Sequence, residues 1–237
     1  MPETAVIAGV GPGLGASIAH RFATEGVDLA LLARTEGYLE SLGSTLRNEH
    51  GVTVTTVPTD LASVEAIDHA FDVIDGELGP VEVLVNHASG GAWKGLRDLD
   101  PAEFEHALRV GPLGGMRCSQ HAVADMLAGD GGTVIFTGAT SSVRGNDGAA
   151  AFSAAKFAVR GLAESMARDL GPHGIHVAHV VIDGQILTPG AADRYPDRDE
   201  ESFLDPDAIA ETYWHLVEQD RSAWSLEVDV RPHVEEF

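Results

Sequence analysis

The chain has 237 residues, 44% of them hydrophobic, enough for one domain with a sizeable core. Its 37 acidic side chains against 15 basic ones give a formal charge of −22, a field that repels nucleic acid and anionic membranes. No apolar run reaches the roughly 18 residues of a membrane span. No signal peptide precedes the first strand, and the lone Cys118 cannot form an internal disulfide, so a soluble, cytoplasmic protein is expected.

In chain order, Val6-Ile7-Ala8 reads as a short strand broken by Gly9, and a helix begins near Gly15 with Ile18, Ala19 and Phe22 on one face. Val27–Leu32 is the next strand, followed by a polar helix over 36–48, a strand over 52–57 and a helix over 63–75. The strand Val81–Val85 precedes a long helix over 101–128, and Thr133–Phe136 precedes a helix over 150–170. Ile175–Ile182, a helix over 206–218 and the strand Leu226–Val230 complete the chain. Strands alternating with helices imply a parallel sheet covered on both faces, a doubly wound α/β domain of Rossmann type. The stretch 188–205, with Pro189, Gly190 and Pro196, reads as an exposed excursion, either a surface loop or a lid.

Only Lys94 and Lys156 among the basic residues are lysines. Few lysines and a large acidic surplus fit a protein adapted to a salt-rich cytoplasm, where screening tolerates the self-repulsion. Cys118 reads as a small core side chain. His176 and His179 lie three apart on one strand and point to opposite faces, so no metal site is expected from them.

Gly9-Val10-Gly11-Pro12-Gly13-Leu14-Gly15 joins the first strand to the first helix. Glycines there let the backbone approach a pyrophosphate, and the helix N-terminus supplies free N–H groups. The spacing Gly9-x-x-x-Gly13-x-Gly15 resembles the short-chain dehydrogenase/reductase family. The likeness continues at Asp60-Leu61, which match the family's adenine-contacting Asp segment, and at Asn86-His87-Ala88-Ser89 in place of Asn-Asn-Ala-Gly. It extends to Asp183-Gly184-Gln185-Ile186-Leu187-Thr188 in place of Pro-Gly-x-x-x-Thr, where the resemblance puts Gly184, Ile186 and Thr188 beside the nicotinamide. At the end of the second strand, Ala33-Arg34-Thr35 replaces the acidic residue of NAD-preferring members. A guanidinium and a hydroxyl suit a 2′-phosphate, so NADP(H) is expected over NAD(H).

The resemblance implies four catalytic positions, three of which depart. The usual Tyr is Phe152, the usual Ser is Ala139, the helix Asn is Gly111, and Lys156 alone is kept. Phenylalanine can neither donate nor accept a proton. Lys156, whose second task in the family is to donate to the nicotinamide ribose, is expected to serve as the catalytic and cofactor-orienting residue. Thr140, Ser141, Ser142, Asp147 and Ser153 lie near the vacant positions and read as loop or capping residues, while His87 could titrate near neutral pH. Two functions follow from this set: an oxidoreductase acting on a small carbonyl or enoyl substrate without a Tyr acid, or a non-catalytic NADP(H)-binding protein. Dimers or tetramers are implied by the family. Ala150, Ala151, Ala154, Ala158, Leu162 and Met166 would pair the long helices of two copies unless the chain's own core takes them.

Overall fold

Alternation of apolar side chains decides the layering. The structure, a computed structural model, describes residues 2–234. Its first half runs β1 (Thr4–Ala8), α1 (Leu14–Thr24), β2 (Asp28–Ala33), α2 (Glu36–His50), β3 (Val54–Pro58), α3 (Val64–Glu77) and β4 (Val83–Asn86). The second half runs α4 (Pro101–Leu108), α5 (Gly114–Ala128), β5 (Gly132–Thr137), α6 (Ala150–Leu170) and β6 (Ile175–Ile182). After β7 (Gln185–Ile186) come the short α7 (Ala191–Arg194), β8 (Phe203–Leu204), α8 (Pro206–Glu218) and β9 (Glu227–Val230).

Seven strands form one parallel sheet in the order β3-β2-β1-β4-β5-β6-β9. Ala5, Ile7, Leu29 and Leu31 face α1, α2 and α8, while Val6, Ala8, Ala30 and Leu32 face α3, α5 and α6. Both faces are therefore buried, as the near-continuous apolar strands require. Strand order reverses beside β1, so a crevice opens at the carboxyl ends of β1 and β4.

Two expectations are revised. The helix expected over 101–128 is interrupted: α4 and α5 are joined by one wider π-helical turn at Arg109–Leu113. Pro112 lacks the N–H that the ladder needs, and the wider turn accommodates the defect. The excursion expected over 188–205 is not exposed throughout. Its last residues, Phe203 and Leu204, are buried and pair in parallel with Gln185 and Ile186, forming a small second sheet that anchors the segment. His176 and His179 have separate partners. His176 contacts the carbonyls of Leu216 and Ser225, whereas His179 meets Glu227. Among the described residues, no helix is long and apolar enough to cross a membrane.

Arginines on this surface are widely paired with carboxylates, as in Arg160–Glu227 and Arg117–Asp68, but the acidic surplus leaves most carboxylates repelling one another. The melting temperature should therefore climb steadily between low salt and about 2 M KCl as screening shortens the reach of that repulsion. A flat or falling trend in a salt series by scanning calorimetry would remove the salt-adapted reading.

Candidate active site

The loops after β1 to β6 line two clefts that share Gly9, Ala88 and Ser89. One, of about 730 Å³, is walled by Val10, Arg34, Thr35, Asp60 and Leu61, with Glu103 and His106 from α4. The other, of about 420 Å³, holds Lys156, Phe152, Ala139, Gly184, Ile186 and Thr188.

At their junction the Gly-rich turn is shaped by close approach. Gly9 and Gly13 have φ of 106° and 118°, in the region that favours glycine. A Cβ on Gly9 would lie 2.5 Å from the Ala88 backbone, and one on Gly13 would lie 2.7 Å from Thr188 Cγ2. The turn thus carries β4's exit on one side and the segment after β6 on the other. Gly13 caps α1 without any side-chain hydrogen bond, and although the Ala16 amide donates to the Gly11 carbonyl at 3.2 Å, the amides of Leu14 and Gly15 have no hydrogen bond among the described residues and are open to an anion. Arg34 is exposed at the cleft wall and has no ion pair or hydrogen bond among the described residues. Asp60 Oδ1 accepts from the Ala62 amide at 3.0 Å, which fixes the turn after β3. The close-fitting glycine turn, the open Leu14 and Gly15 amides and the exposed Arg34 guanidinium fit a phosphorylated dinucleotide.

Lys156 is 5% exposed, and its Nζ donates to the Thr137 carbonyl at 2.7 Å. Burial lowers its pKa from 10.5 to about 8. Its Nζ lies 5.7 Å from the centre of the Phe152 ring, which stacks at 5.0 Å on Trp93. An aromatic wall thus stands beside the ammonium. Ala139 lines the same cleft, and Gly111 sits in the π-helical turn against Ala155 and Val159.

The nearby hydroxyls have other partners. Thr140 donates to Asp183, Ser141 accepts from Asn146 Nδ2 at 2.9 Å, and Ser142 accepts from the Ala139 amide at 3.1 Å. Ser153 accepts from the Asn146 amide at 3.2 Å. These contacts tie the loop after β5 together at the edge of the cleft that Thr140 and Ser141 also line. His87 is different from expectation: burial, then the Lys156 charge, lowers its pKa to about 4, so it is neutral at neutral pH. Its Nδ1 lies 3.1 Å from Thr137 Oγ1, which is 2.7 Å from the buried Tyr213 hydroxyl.

Of the residues expected to bind cofactor, Gly9, Arg34, Thr35, Asp60, Leu61 and Ala88 meet in the larger cleft, and Lys156, Gly184, Ile186 and Thr188 in the smaller. Leu14 and Gly15 lie behind the turn, Leu14 in the core and Gly15 against Val10 and His87. Asn86 is also placed behind the clefts: its Nδ2 donates to Ser119 Oγ at 3.1 Å while its Oδ1 is buried without a partner. Sequence reasoning missed Trp93, Asn146 and Glu103. The lone aromatic after Gly90-Gly91-Ala92 was the available signal for the first. Lys94 fastens that loop to Glu103 at 2.7 Å.

A seven-stranded parallel sheet with a crevice at its switch point, entered by a glycine-rich turn, defines a doubly wound nucleotide-binding protein. The chain belongs to the short-chain dehydrogenase family, whose model matches residues 3–199. It is 31% identical to the short-chain reductase protein NovJ of Streptomyces niveus, over 79% of this chain and 70% of that one. It is also 31% identical to the 3-oxoacyl acyl-carrier-protein reductase MabA of Mycobacterium tuberculosis, over 78% and 70%. Among solved structures, an alcohol dehydrogenase of Thermococcus sibiricus, in complex with 5-hydroxy-NADP, superposes with a TM-score of 0.89 at 25% identity, covering 100% of this chain and 99% of that one.

Proposed function

We propose that this chain is a cytoplasmic NADP(H)-dependent oxidoreductase that acts on a small carbonyl or enoyl substrate without a tyrosine acid. The observation that carries this reading is Lys156, buried in the cleft that also holds Gly184, Ile186 and Thr188, with Phe152 beside it. The 5-hydroxy-NADP in the Thermococcus sibiricus structure and the reductase names of two relatives support the cofactor and the reaction type.

Gly9, Gly13 and the α1 N-terminus, with Leu14 and Gly15 shaping the turn, would take the pyrophosphate. Arg34 and Thr35 would take the 2′-phosphate, with Asp60, Leu61 and Ala88 on the adenine side. Lys156, Gly184, Ile186 and Thr188 would hold the nicotinamide end, with Asn86 supporting β4's exit from behind. NADPH, when held there, would supply the hydride for the reduction. Lys156 would orient the ribose, Trp93 and Phe152 would present a flat apolar wall to a planar substrate, and the proton would come from water or a side chain other than Phe152.

The test is NADPH consumption across a panel of ketones and enoyl thioesters in molar KCl. Oxidation with one of them is expected. Phe152, Ala139 and Gly111 together favour a second reading, a non-catalytic NADP(H)-binding protein, and binding without consumption across the panel would select it. Arg34→Asp should turn a preference for NADPH into one for NADH, with NADPH affinity falling about ten- to a hundredfold as a charge-assisted contact is lost. Titration calorimetry giving equal affinities for both cofactors in the wild type would refute the assignment of Arg34.

We also expect a homodimer or homotetramer through α4, α5 and α6. Phe104 and Phe157 are exposed on α4 and α6, as is Ala158, an arrangement suited to helix pairing between copies. Ala151 is not available for this purpose, being enclosed with Ala107 and Ala155 in the chain's own core. A monomer mass by light scattering in molar salt would end this expectation.

A further inference from the structure

Away from both clefts, His20 on α1 meets Glu49 and His50 at the C-terminal end of α2. His20 Nδ1 lies 3.4 Å from His50 Nε2 and 3.7 Å from Glu49 Oε2, and the last two atoms are 3.9 Å apart. The edges of a tetrahedral zinc shell with bonds of about 2.0–2.1 Å are about 3.3–3.4 Å long. The imidazole–imidazole edge already has that length, and the two carboxylate edges need to shorten by only about half an ångström at most.

We propose that His20, Glu49 and His50 form a site for a divalent transition-metal ion of the zinc type. Two imidazoles and one carboxylate favour such an ion over magnesium or calcium, which take oxygen shells. The neighbouring cations are engaged elsewhere: Arg21 with Glu25 and Glu211, and Arg47 with the Val54 carbonyl. Among the described residues no guanidinium therefore pairs with Glu49, while the acidic surplus draws cations in. Glu49 is the most exposed of the three, which leaves a fourth position open to water. The bound ion would fasten the end of α2 to α1, the helix whose N-terminus faces the cofactor cleft. It would act as a structural clip rather than as part of the chemistry.

The test uses tag-free, chelator-stripped full-length protein titrated with zinc chloride in a calorimeter, with melting followed in parallel. One equivalent of zinc is expected to bind, raising the melting temperature until a chelator reverses the gain. His20→Ala, His50→Ala and Glu49→Gln should each weaken zinc binding by at least about tenfold, since even loss of a group behind a ligand costs that much. NADPH affinity should stay unchanged in all three variants, which also reports that they are folded. Zinc binding that is absent, that involves many equivalents, that is equal in wild type and variants, or that magnesium displaces at matched concentration overturns the proposal.

Discussion

Lys156→Ala should lower NADPH affinity about ten- to a hundredfold, the effect of losing a hydrogen bond from a charged donor, and turnover should fall with it. Two tasks meet in this one side chain. Its ammonium lies in the cleft with Gly184 and Thr188, and it is held there by the Thr137 carbonyl at 2.7 Å. Removing it strands that carbonyl and takes away the donor proposed for the ribose hydroxyls.

The pH dependence has a defined sign. Burial puts the folded-state value at about 8, below the ordinary 10.5, so the cation is present below pH 8 and lost above it. NADPH affinity should weaken as pH rises through about 8 in the wild type and stay flat in Lys156→Ala. Stability of the cofactor-free protein should move the other way. The unfolded chain binds this proton more tightly, so stability grows as pH rises from about 8 toward 10.5. Unchanged NADPH affinity and turnover in Lys156→Ala would refute the assignment of the cofactor-orienting role to this residue.

Phe152→Tyr combined with Ala139→Ser should produce ketone reduction well above the wild type, by about a hundredfold or more, the range of a positioned general acid. Both positions line the cleft that contains Lys156, and Phe152 already stands 5.7 Å from the ammonium. A hydroxyl on that ring would enter the field of a cation able to lower its pKa. Tyrosine keeps the aromatic stack with Trp93, so the wall survives the change. Gly111 remains, so the relay of a helix asparagine stays absent and the gain stays below that of a complete set. A double variant that binds NADPH as the wild type does, yet shows no gain on any ketone, would mean that the cleft does not place a carbonyl against this position.

The elements with unbroken local signals are legible in the chain alone. The helix over 150–170 and the strand Ile175–Ile182 are found at those bounds because propensity, periodicity and burial agree there. The Gly-rich turn is legible for the same reason, since few residue types tolerate its backbone. The break at Arg109–Leu113 escaped because a continuous helical period masks a single proline that the wider turn absorbs. The pairing of Phe203–Leu204 with Gln185–Ile186 escaped because two-residue strands carry too little pattern to register.

The layered α/β architecture and the nucleotide-binding turn were legible in the sequence alone, as was the presence of Phe152, Ala139 and Gly111 where the family resemblance leads one to expect tyrosine, serine and asparagine. Each follows from residue types at fixed spacings. The tertiary structure decided the protonation and the partners. His87 became a neutral imidazole through burial and its nearness to Lys156, and the hydroxyls after Ala139 were turned to Asp183, Asn146 and the Ala139 amide. It also brought His20 against Glu49 and His50, residues about thirty positions apart in the chain. Such outcomes depend on desolvation and on distances between segments remote in sequence, and no local pattern encodes either.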